Sequence, residues 1–211
     1  MWIMRIILAS GSPRRKELLQ LITSDFEIIV SNIDETLDKN LTLENQVSEL
    51  AYSKAKSVFD KLDGDRIVIG ADTIVTKNNE IYGKPKDKAN AKEMLKKLLE
   101  GDRAHEVITG VSVIMQKDNQ YQEIKTYDKA KVYFTEISDT ELDKWVDSGK
   151  ALDKAGAYGI QTEFCAFVEK IDGNYDTVVG LPVYKIYQIL KKYHAFAWNQ
   201  INLISSSPLL F

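Results

Sequence analysis

The sequence predicts an α/β protein in which flanking helices pack on a mixed, extended and twisted sheet. Two patterns predict this class. Short apolar runs at residues 5–9 and 66–70 are typical of buried strands, whereas apolar residues within 47–58 and 91–99 recur at helical spacing. The chain from about residue 107 to 134 is rich in β-branched and aromatic residues. Strands therefore do not alternate strictly with helices, and a mixed sheet is expected.

The helices of the first half of the chain have clear starts. After the strand at residues 5–9, Ser12 is placed to cap a helix and Pro13 to occupy its first turn. A second strand is expected at about residues 26–31, and Thr42 begins a long helix. Each helix start is therefore marked by a residue whose side chain can accept a backbone hydrogen bond.

A strand at residues 66–70 is expected to end before Asp72, and another strand is expected at 74–77. Asn78 and Asn79 then predict a hairpin turn. The remaining predicted elements, in order, are a helix capped by Asp87, strands at 107–115, 121–127 and 129–134, a helix after a Ser138 and Glu141 capping box, a strand at 164–169 and a last helix through Leu190.

Composition and charge exclude several classes of protein. Lys and Arg number 28 against 31 Asp and Glu, and the formal net charge is -3 with both signs mixed, so nucleic-acid binding is not expected. No run reaches the roughly 18 apolar residues of a membrane helix, and no signal peptide is recognisable, so a cytoplasmic protein without membrane contact is expected. Cys165 is the single cysteine, which excludes an internal disulfide and predicts a buried thiol.

The turn after the first strand reads S-G-S-P-R-R, from residue 10 to 15. Backbone N–H groups at a helix start attract anions, and Ser10, Ser12, Arg14 and Arg15 add hydroxyl and guanidinium donors. The same residues are equally compatible with an ordinary capped helix whose arginines are solvated. The local sequence therefore leaves a phosphate site and a plain helix start as alternatives.

Three charged residues are candidates for the chemistry of a cleft. Asp72 directly follows an apolar strand, and a carboxylate at the carboxyl end of a strand can hold a divalent cation or act as a base. Lys54 lies on the apolar side of the long helix, where an ammonium needs an anion or must extend to solvent. Glu35 follows Asp34 in a polar loop. A turn aspartate, an extended lysine and a solvated acidic pair are the alternatives.

Two further segments offer groups that bind ligands. Lys84 lies in Y-G-K-P-K-D, an extended stretch of a kind that also occurs in many surface turns. The segment A-L-D-K-A-G-A-Y-G-I-Q at residues 151–161 offers charge from Lys154, stacking from Tyr158 and amide hydrogen bonds from Gln161. A plain connector is the alternative for this segment.

The candidates share one theme. Five cations (Arg14, Arg15, Lys54, Lys84 and Lys154) and three carboxylates (Glu35, Asp72 and Asp87) lie at the ends of elements or on inward faces. A triphosphate with its Mg²⁺ requires this mixture of charges. His105, which precedes a strand, is equally compatible with a structural and a catalytic role.

Eight motifs occur in a fixed order between residues 10 and 182. They are S-G-S-P-R-R, I-D-E, S-K-A-K, G-A-D-T, G-K-P, H-E-V-I-T-G-V, D-K-A-G-A-Y-G-I-Q and V-V-G-L-P. Over residues 4–192 this order resembles that of Maf proteins. The resemblance implies a nucleoside triphosphate pyrophosphatase similar to the inosine triphosphate pyrophosphatase fold, with two lobes around a cleft, a divalent metal (Mg²⁺ or Mn²⁺) and a homodimer. It also implies one domain over residues 1–194, with 195–211 as a tail of unassigned function.

Within the Maf proteins, the chain resembles the branch that acts on dTTP and UTP. That branch has arginine after Ser-Pro, threonine after the catalytic aspartate and glutamine after the late G-I, which here are Arg14, Thr73 and Gln161. The branch that acts on 7-methyl-GTP has tryptophan, glutamine and glutamate instead. The amide of Gln161 offers both a donor and an acceptor, which suits the imide edge of uracil or thymine. These three residues are therefore the expected specificity residues.

The resemblance also implies a role for each site residue. Asp72 is the expected proton acceptor, with Glu35 and Asp72 as the metal ligands. Lys54 and Lys84 complete the expected catalytic group. Substrate binding is expected from Ser10, Ser12, Arg14, Arg15, Lys54, Thr73, Lys84, Lys154 and Gln161. A metal-activated water would attack the α-phosphorus, and most of the catalysis would be electrostatic.

Two alternatives to this function are carried forward. The first is the same chemistry on 7-methyl-GTP or another purine triphosphate. The second is a non-enzymatic regulator of septum formation and cell division, which would act through a partner or nucleic acid. The favoured reading is removal of unwanted or non-standard pyrimidine nucleotides by hydrolysis to the monophosphate and pyrophosphate.

Overall fold

The structure is a computed structural model that describes residues 4–193. Within this range the strands are β1 (Arg5–Leu8), β2 (Glu27–Ile28), β3 (Arg66–Lys77), β4 (Glu80–Tyr82), β5 (Ala104–Lys117), β6 (Gln120–Phe134) and β7 (Val168–Asp172). The α-helices are α1 (Pro13–Gln20), α2 (Leu43–Phe59), α3 (Lys88–Leu99), α4 (Asp139–Asp147), α5 (Tyr175–Val179) and α6 (Val183–Lys192). Two 3₁₀ helices span Ala155–Ala157 and Glu163–Phe167.

The strands form one mixed sheet with the order β2-β1-β3-β5-β6-β7, and β4 pairs with β3. The pairs β2–β1 and β1–β3 are parallel, and the other pairs are antiparallel. The long strands β3, β5 and β6 form its centre, where the paired residues are most numerous. The predicted α/β class with a mixed, extended sheet is therefore confirmed.

Strand β3 is paired on one side along nearly its whole length but on the other side only at its ends. The continuous partner is β5, from Arg66 to Thr76 of β3. On the other side β1 pairs with β3 as far as Ile69, and β4 pairs with it from Val75 onward. Among residues 4–193 no strand covers this side of residues 70–74. The gap leaves the middle of a central strand open to a ligand.

Helix α2 packs unusually close to the sheet at this gap. A Cβ atom added to Gly70 would lie 2.2 Å from the carbonyl oxygen of Ala51 and 2.8 Å from the amide nitrogen of Ala55, both in α2. Only glycine permits this approach of two backbones. The close contact brings Lys54, in the same turn of α2, next to the open stretch of β3.

Two hydrophobic clusters lie at different places along the sheet. One contains Leu19 of α1 and Ile186 of α6 with the first half of β3, and the other contains Leu95 of α3 and Trp145 of α4 with the end of β6. Both clusters contain side chains that are fully shielded from solvent. The two lobes and the domain bounds of 1–194 stay predictions, and residues 1–3 and 194 lie outside the described range.

The predicted helix starts are confirmed by their capping hydrogen bonds. Ser12 accepts from the amide of Arg15, Thr42 from that of Asn45, Asp87 from that of Asn90, and Ser138 and Glu141 form the predicted capping box. Asp87 is therefore a capping residue. Asn78 and Asn79 have positive φ angles of 51° and 66°, as a two-residue hairpin turn requires. No helix within residues 4–193 is long and apolar enough to cross a membrane.

The prediction that Asp72 follows the end of a strand is wrong. Residues 66–77 form one strand, and Asp72 lies in its middle, opposite Gly110 of β5. Pairing with β5 continues through Asp72 and Thr73. The strand therefore continues although these two polar residues interrupt its apolar sequence. Asp72 is nearly buried, and it lines the cleft at the open side of β3 and not at the end of a strand.

Other predicted elements also need correction. The strands expected at 121–127 and 129–134 are the single strand β6, and β2 has two residues in place of the predicted six. The strand expected at 164–169 is largely the 3₁₀ helix Glu163–Phe167, which Thr162 caps. This helix buries Phe164 and turns Cys165 outward, so the prediction of a buried thiol is wrong. The predicted tail, 195–211, lies outside the described residues.

Candidate active site

The open middle of β3 faces a cleft of about 1040 Å³. The parts of the chain that line it include the turn between β1 and α1, the loop residues 30–37, the facing parts of α2 and β3, residues 81–84, and the segment from Asp153 to Thr162. Every residue predicted to bind substrate or metal lines this cleft, namely Ser10, Ser12, Arg14, Arg15, Glu35, Lys54, Asp72, Thr73, Lys84, Lys154 and Gln161. The structure therefore brings together groups that are up to 151 positions apart in the sequence.

The opening turn places hydroxyls and a guanidinium at the start of α1. Ser12 Oγ accepts from the amide of Arg15 at 3.5 Å and so caps the helix. Ser10, which is nearly buried, accepts through Oγ from the amide of Ser12 and from Nη1 of Arg15, both at 3.3 Å. The turn is therefore both a capped helix start and a cluster of donors at a helix N-terminus, where an anion is favoured.

Arg15 is fixed in the cleft by three side-chain hydrogen bonds. Its guanidinium donates to the carbonyl oxygen of Gly180 at 2.9 Å, to Thr73 Oγ1 at 3.1 Å and to Ser10 Oγ. Burial lowers the pKa of Arg15, and the negative charges of Asp72 and Glu35 partly oppose that shift. An arginine remains protonated under such conditions, so Arg15 is a positioned cation. Arg14 lies nearer the rim, where Nη1 is 3.5 Å from Asp153 Oδ2.

Lys54 joins two carboxylates. Its ammonium lies 2.7 Å from Asp72 Oδ1 and 2.8 Å from Glu35 Oε1. Lys54 and Asp72 are nearly buried, whereas the Glu35 side chain is 61% exposed. A buried ammonium is tolerated only with compensating charge, which these carboxylates supply. The sequence left an anion partner and extension to solvent as alternatives for Lys54, and the structure shows the ammonium buried between two carboxylates.

The environment of Glu35 favours its charged form. Partial burial by itself raises the pKa of Glu35, but the hydrogen bond from Lys54 and the charges of Lys54, Lys84 and Arg15 outweigh burial, so the pKa lies below its ordinary value. Three cations from three different elements therefore act on this single carboxylate. Glu35 is ionised at neutral pH and is available to a cation or to Lys54.

The remaining predicted cations differ in their partners. Within the described residues, Lys84 is exposed at the cleft and makes no hydrogen bond or ion pair, so its ammonium is available to a ligand. Lys154 already donates to the carbonyl oxygen of Lys150 and to Asp153 Oδ1. The charge of Lys154 is therefore partly neutralised before any substrate binds.

The segment that carries Lys154 and Gln161 is anchored through the aromatic cluster beneath it. Trp145 Nε1 donates to the carbonyl oxygen of Ala157 at 2.9 Å. Tyr158 is buried, and its hydroxyl lies 2.8 Å from Nε2 of the equally buried His105. The suggestion that Tyr158 stacks on a ligand is therefore not supported, and His105 has the structural role. Gln161, by contrast, is exposed at the cleft wall.

A family model decides the relationship of the chain to known proteins. The model described as "Maf-like protein" matches residues 5–193. The chain belongs to the Maf-like family. The resemblance predicted from the ordered motifs is confirmed over almost the same range.

Maf-like relatives named "dTTP/UTP pyrophosphatase" match most of the chain. One from Alkaliphilus oremlandii (strain OhILAs) is 48% identical over 189 residues, and one from Bacillus anthracis is 48% identical over 190 residues. Each alignment covers 90% of this chain and 96% of the relative. Among solved structures, a HAM1 protein from Coxiella burnetii is 15% identical with a TM-score of 0.49, covering 90% of this chain and all of its own.

The Maf-like motifs also contain residues whose importance the sequence did not reveal. Gly180, in V-V-G-L-P, has a φ of +124° and accepts the hydrogen bond from Arg15, and a Cβ atom there would lie 3.2 Å from Thr73 Oγ1. Thr109, in H-E-V-I-T-G-V, is fully buried and lies 3.0 Å from Thr73 Oγ1. Gly180 and Thr109 both belong to the ordered motifs, which was the only sign in the sequence of their importance. The motifs do not indicate which residues they contact.

The two carboxylates of this Maf-like site fit a divalent cation if substrate and water supply the remaining ligands. Glu35 and Asp72 both contact Lys54 Nζ, so two carboxylates lie close together in the cleft on either side of one ammonium. Among residues 4–193 no group of three or more His, Cys, Asp or Glu side chains could hold a metal ion. Mg²⁺ is commonly held by one or two carboxylates together with water and substrate phosphates, and this donor set matches that pattern.

Proposed function

We propose that this chain hydrolyses dTTP and UTP between the α- and β-phosphates, releasing a nucleoside monophosphate and pyrophosphate. The observation that carries the proposal is Lys54 held between Asp72 and Glu35 in a cleft that also contains Arg15 and Ser10. Cleavage of a phosphoanhydride requires positioned cations, hydrogen-bond donors and a base in one place. Membership of the Maf-like family and relatives named dTTP/UTP pyrophosphatase support the substrate class.

The proposed reaction uses the residues of the cleft in distinct roles. A water oxygen attacks the α-phosphorus, and the bond from this phosphorus to the bridging oxygen breaks. Asp72 accepts the proton that the water loses, and Lys54 holds its carboxylate in place at 2.7 Å. Lys54 and Lys84 balance the charge that develops on the departing pyrophosphate. The biological role that we propose for this hydrolysis is removal of unwanted or non-standard pyrimidine nucleotides.

The polyphosphate of the substrate is proposed to lie along the start of α1. Arg15 and Ser10 bind its oxygens there, with Ser12 keeping the turn in place through its cap. Lys154 contributes charge from the opposite wall of the cleft. Glu35 and Asp72 hold a divalent cation, Mg²⁺ or Mn²⁺, which when bound neutralises phosphate charge and polarises the reacting groups.

Selection of the base is proposed to depend on Arg14, Thr73 and Gln161. All three line the cleft, and they come from three different elements of the fold. Arg14 lies in α1, Thr73 in β3 and Gln161 at the end of the 151–161 segment. Gln161 presents an amide with one donor and one acceptor side, which complements the N–H and carbonyl groups of a uracil or thymine edge.

A panel of triphosphates tests the proposal. Pyrophosphate release is measured from dTTP, UTP, CTP, GTP, ITP and 7-methyl-GTP, with Mg²⁺, with Mn²⁺ and with a chelator. We expect the highest kcat/KM for dTTP and UTP and little turnover with the chelator. Preference for a purine triphosphate would move the assignment to the 7-methyl-GTP or purine alternative. Nucleotide binding without hydrolysis of any substrate would favour the regulator of septum formation.

Assembly and location extend the proposal. A homodimer and a cytoplasmic location are proposed from the family resemblance, together with a single two-lobed domain over residues 1–194. Light scattering of the purified chain tests the dimer, since a monomer mass at micromolar concentration would contradict it. Limited proteolysis tests the domain bounds, since a stable fragment much shorter than residues 1–194 would contradict a single domain of that length.

A further inference from the structure

A chain of hydrogen bonds leads from the cleft into the core. Arg15 Nη2 donates to Thr73 Oγ1 at 3.1 Å, Thr73 Oγ1 lies 3.0 Å from Thr109 Oγ1, and Thr109 Oγ1 lies 2.8 Å from the carbonyl oxygen of Thr177. Thr73 lines the cleft, whereas Thr109 is fully buried in β5 and does not line it. The chain therefore connects a predicted specificity residue to a residue that no ligand in the cleft touches.

The two ends of the chain fix the direction of every hydrogen bond in it. The carbonyl oxygen of Thr177 can only accept, so the single hydroxyl proton of Thr109 is donated to it. Thr109 Oγ1 must then accept from Thr73, and the proton of Thr73 points into the core. Arg15 can only donate, so it occupies one lone pair of Thr73 Oγ1. One lone pair and no proton remain on Thr73 for a ligand.

We propose that Thr109 is a positioning residue that fixes the hydroxyl of Thr73 as a hydrogen-bond acceptor toward the bound nucleotide. The proposal rests on the proposed function, which places Thr73 beside the base. A hydroxyl that can only accept selects a base with an N–H group at that position, and the amide N–H of Gln161 is then left to donate to the neighbouring carbonyl oxygen of the base. Uracil and thymine carry a hydrogen on N3, whereas N3 of cytosine is itself an acceptor. Thr109 thus contributes to the choice of UTP over CTP without touching either.

Replacing Thr109 tests this role through the substrate ratio. In Thr109→Val the proton of Thr73 loses its buried acceptor and can turn toward the cleft, so rejection of an acceptor on the base weakens. The ratio of kcat/KM for UTP to that for CTP is expected to fall about 3- to 10-fold, the effect of one net hydrogen bond. Thr109→Ser keeps the hydroxyl and is expected to keep the ratio.

Thr76→Val is the matched control. Thr76 lies on the same strand as Thr73 and is nearly buried, but among residues 4–193 its hydroxyl has no hydrogen-bond partner. The same substitution there removes a buried hydroxyl without altering the chain from Arg15 to Thr177. The UTP to CTP ratio of Thr76→Val is expected to equal that of the wild type.

The proposal is overturned if Thr109→Val keeps the wild-type ratio, or if Thr109→Ser loses it to the same extent. A second measurement, by NMR, uses the unaltered protein and stands even if Thr109→Val does not fold. The hydroxyl proton of Thr73 is expected to show a nuclear Overhauser effect to Thr109, and an effect to bound UMP in its place would overturn the proposal. Because the protein need only bind UMP and need not hydrolyse a triphosphate, this result is separate from failure of the wild type to hydrolyse UTP, which would contradict the proposed function instead.

Discussion

The two facing walls of the cleft are built differently. One wall consists of α2 and β3, whose backbones touch at Gly70 and which carry the nearly buried pair Lys54 and Asp72. The other wall is the segment from residue 151 to 161, which has only one turn of 3₁₀ helix and carries the exposed Gln161. Lys54 and Asp72, which are proposed to act at the reacting phosphate, thus lie on regular elements, whereas Gln161, which is proposed to read the base, lies on an irregular segment.

The ion pairs of the two walls also differ in their exposure to solvent. Lys54 is 7% exposed in its side chain and contacts two carboxylates, so removal of either leaves a poorly compensated buried charge. Lys154, whose side chain is 12% exposed, pairs with Asp153, whose side chain is 63% exposed, so solvent screens this pair more strongly than the pair of Lys54 with Asp72. Substitutions in the first wall should therefore have large effects on turnover and stability, and those in the second should mainly change selectivity.

The largest effect is expected for Asp72→Asn. This change removes the proposed proton acceptor and keeps the shape of the side chain, so kcat for dTTP and UTP should fall about 10²- to 10⁴-fold. The chain should still fold and bind nucleotide, because the amide oxygen can still accept a hydrogen bond from Lys54, but its free energy of unfolding should fall because Glu35 alone then compensates the buried ammonium. Steady-state pyrophosphate release and equilibrium nucleotide binding measure the two quantities separately.

Asp153→Asn is the matched control in the other wall. Asp153 pairs with Arg14 and Lys154 at the surface, and loss of its charge should change kcat less than about tenfold. Unchanged turnover in Asp72→Asn would refute its role as the base. Equal losses in both variants would show that the two walls do not differ in the way their structures suggest.

The second effect is expected for Gly70→Ala. The new Cβ would lie 2.2 Å from the carbonyl oxygen of Ala51, so α2 must move away from β3. Forced shifts of this kind cost about 1–3 kcal/mol, and here they also separate Lys54 from Asp72. We expect a lower free energy of unfolding in urea together with a reduced kcat.

Gly83→Ala separates this steric effect from a general cost of replacing glycine. An added Cβ at Gly83 would meet no atom within 4 Å, and its φ lies outside the left-handed region. Its unfolding free energy should change by less than about 0.5 kcal/mol. If Gly70→Ala were as stable as Gly83→Ala, the close contact of α2 with β3 would not be what fixes Lys54.

The third effect is a dependence of the free energy of unfolding on pH. It comes from His105, which contacts Tyr158 beneath the irregular wall. Burial, with a smaller contribution from the charge of Lys77, lowers the pKa of His105 to about 3. In the unfolded chain the histidine has an ordinary pKa near 6.5. Between pH 6.5 and about 3, His105 is therefore protonated in the unfolded chain but neutral in the folded protein. The stability is therefore complete above about pH 6.5 and decreases by about 1.4 kcal/mol per pH unit as the pH falls toward 3.

His105→Gln isolates this contribution, because glutamine does not titrate and its amide can still bond to the hydroxyl of Tyr158. The difference in unfolding free energy between the wild type and the variant should be constant between pH 7.5 and 8.5. Below about pH 6.5 it should shift in favour of the variant. Parallel profiles down to pH 4 would contradict a neutral, buried His105.

The sequence could predict whatever depends on local hydrogen bonds or on helical spacing. Thr42, Asp87 and Ser138 cap helices as predicted, because a cap involves residues only three positions apart. Lys54 was found because a charge on an apolar helix side requires a partner. The site residues were identified from the ordered motifs, because the order of motifs along a sequence can be recognised without knowledge of the contacts in the fold.

Contacts between distant strands could not be predicted in this way. Asp72 lies in the middle of β3 because β5 pairs with it through Gly110, which is 38 positions away. Tyr158 is withdrawn into the core by His105, and Cys165 is turned outward by the 3₁₀ helix that buries Phe164. In each case a tertiary partner decides the position of a side chain whose local sequence allows several.

The smallest effect on the protein itself is expected for Gln161→Glu, in the irregular wall. Gln161 is exposed, and within residues 4–193 its side chain makes no hydrogen bond, so its unfolding free energy should change by less than about 0.5 kcal/mol. Its amide offers a donor and an acceptor, whereas a carboxylate only accepts. The preference for UTP over GTP, measured as a ratio of kcat/KM, should therefore fall by about tenfold, a typical effect of one mismatched polar contact.

Glu163→Gln is the matched control for this change. Glu163 is also exposed, two positions along the chain, and pairs with Lys150 away from the residues that line the cleft. The control reverses the change in charge and should leave the UTP to GTP ratio as it is in the wild type. A shifted ratio in both variants would mean that the net charge of this wall, and not the hydrogen-bonding pattern of Gln161, selects the base. An unshifted ratio in Gln161→Glu would place base selection on the regular wall, with Thr73 and Thr109.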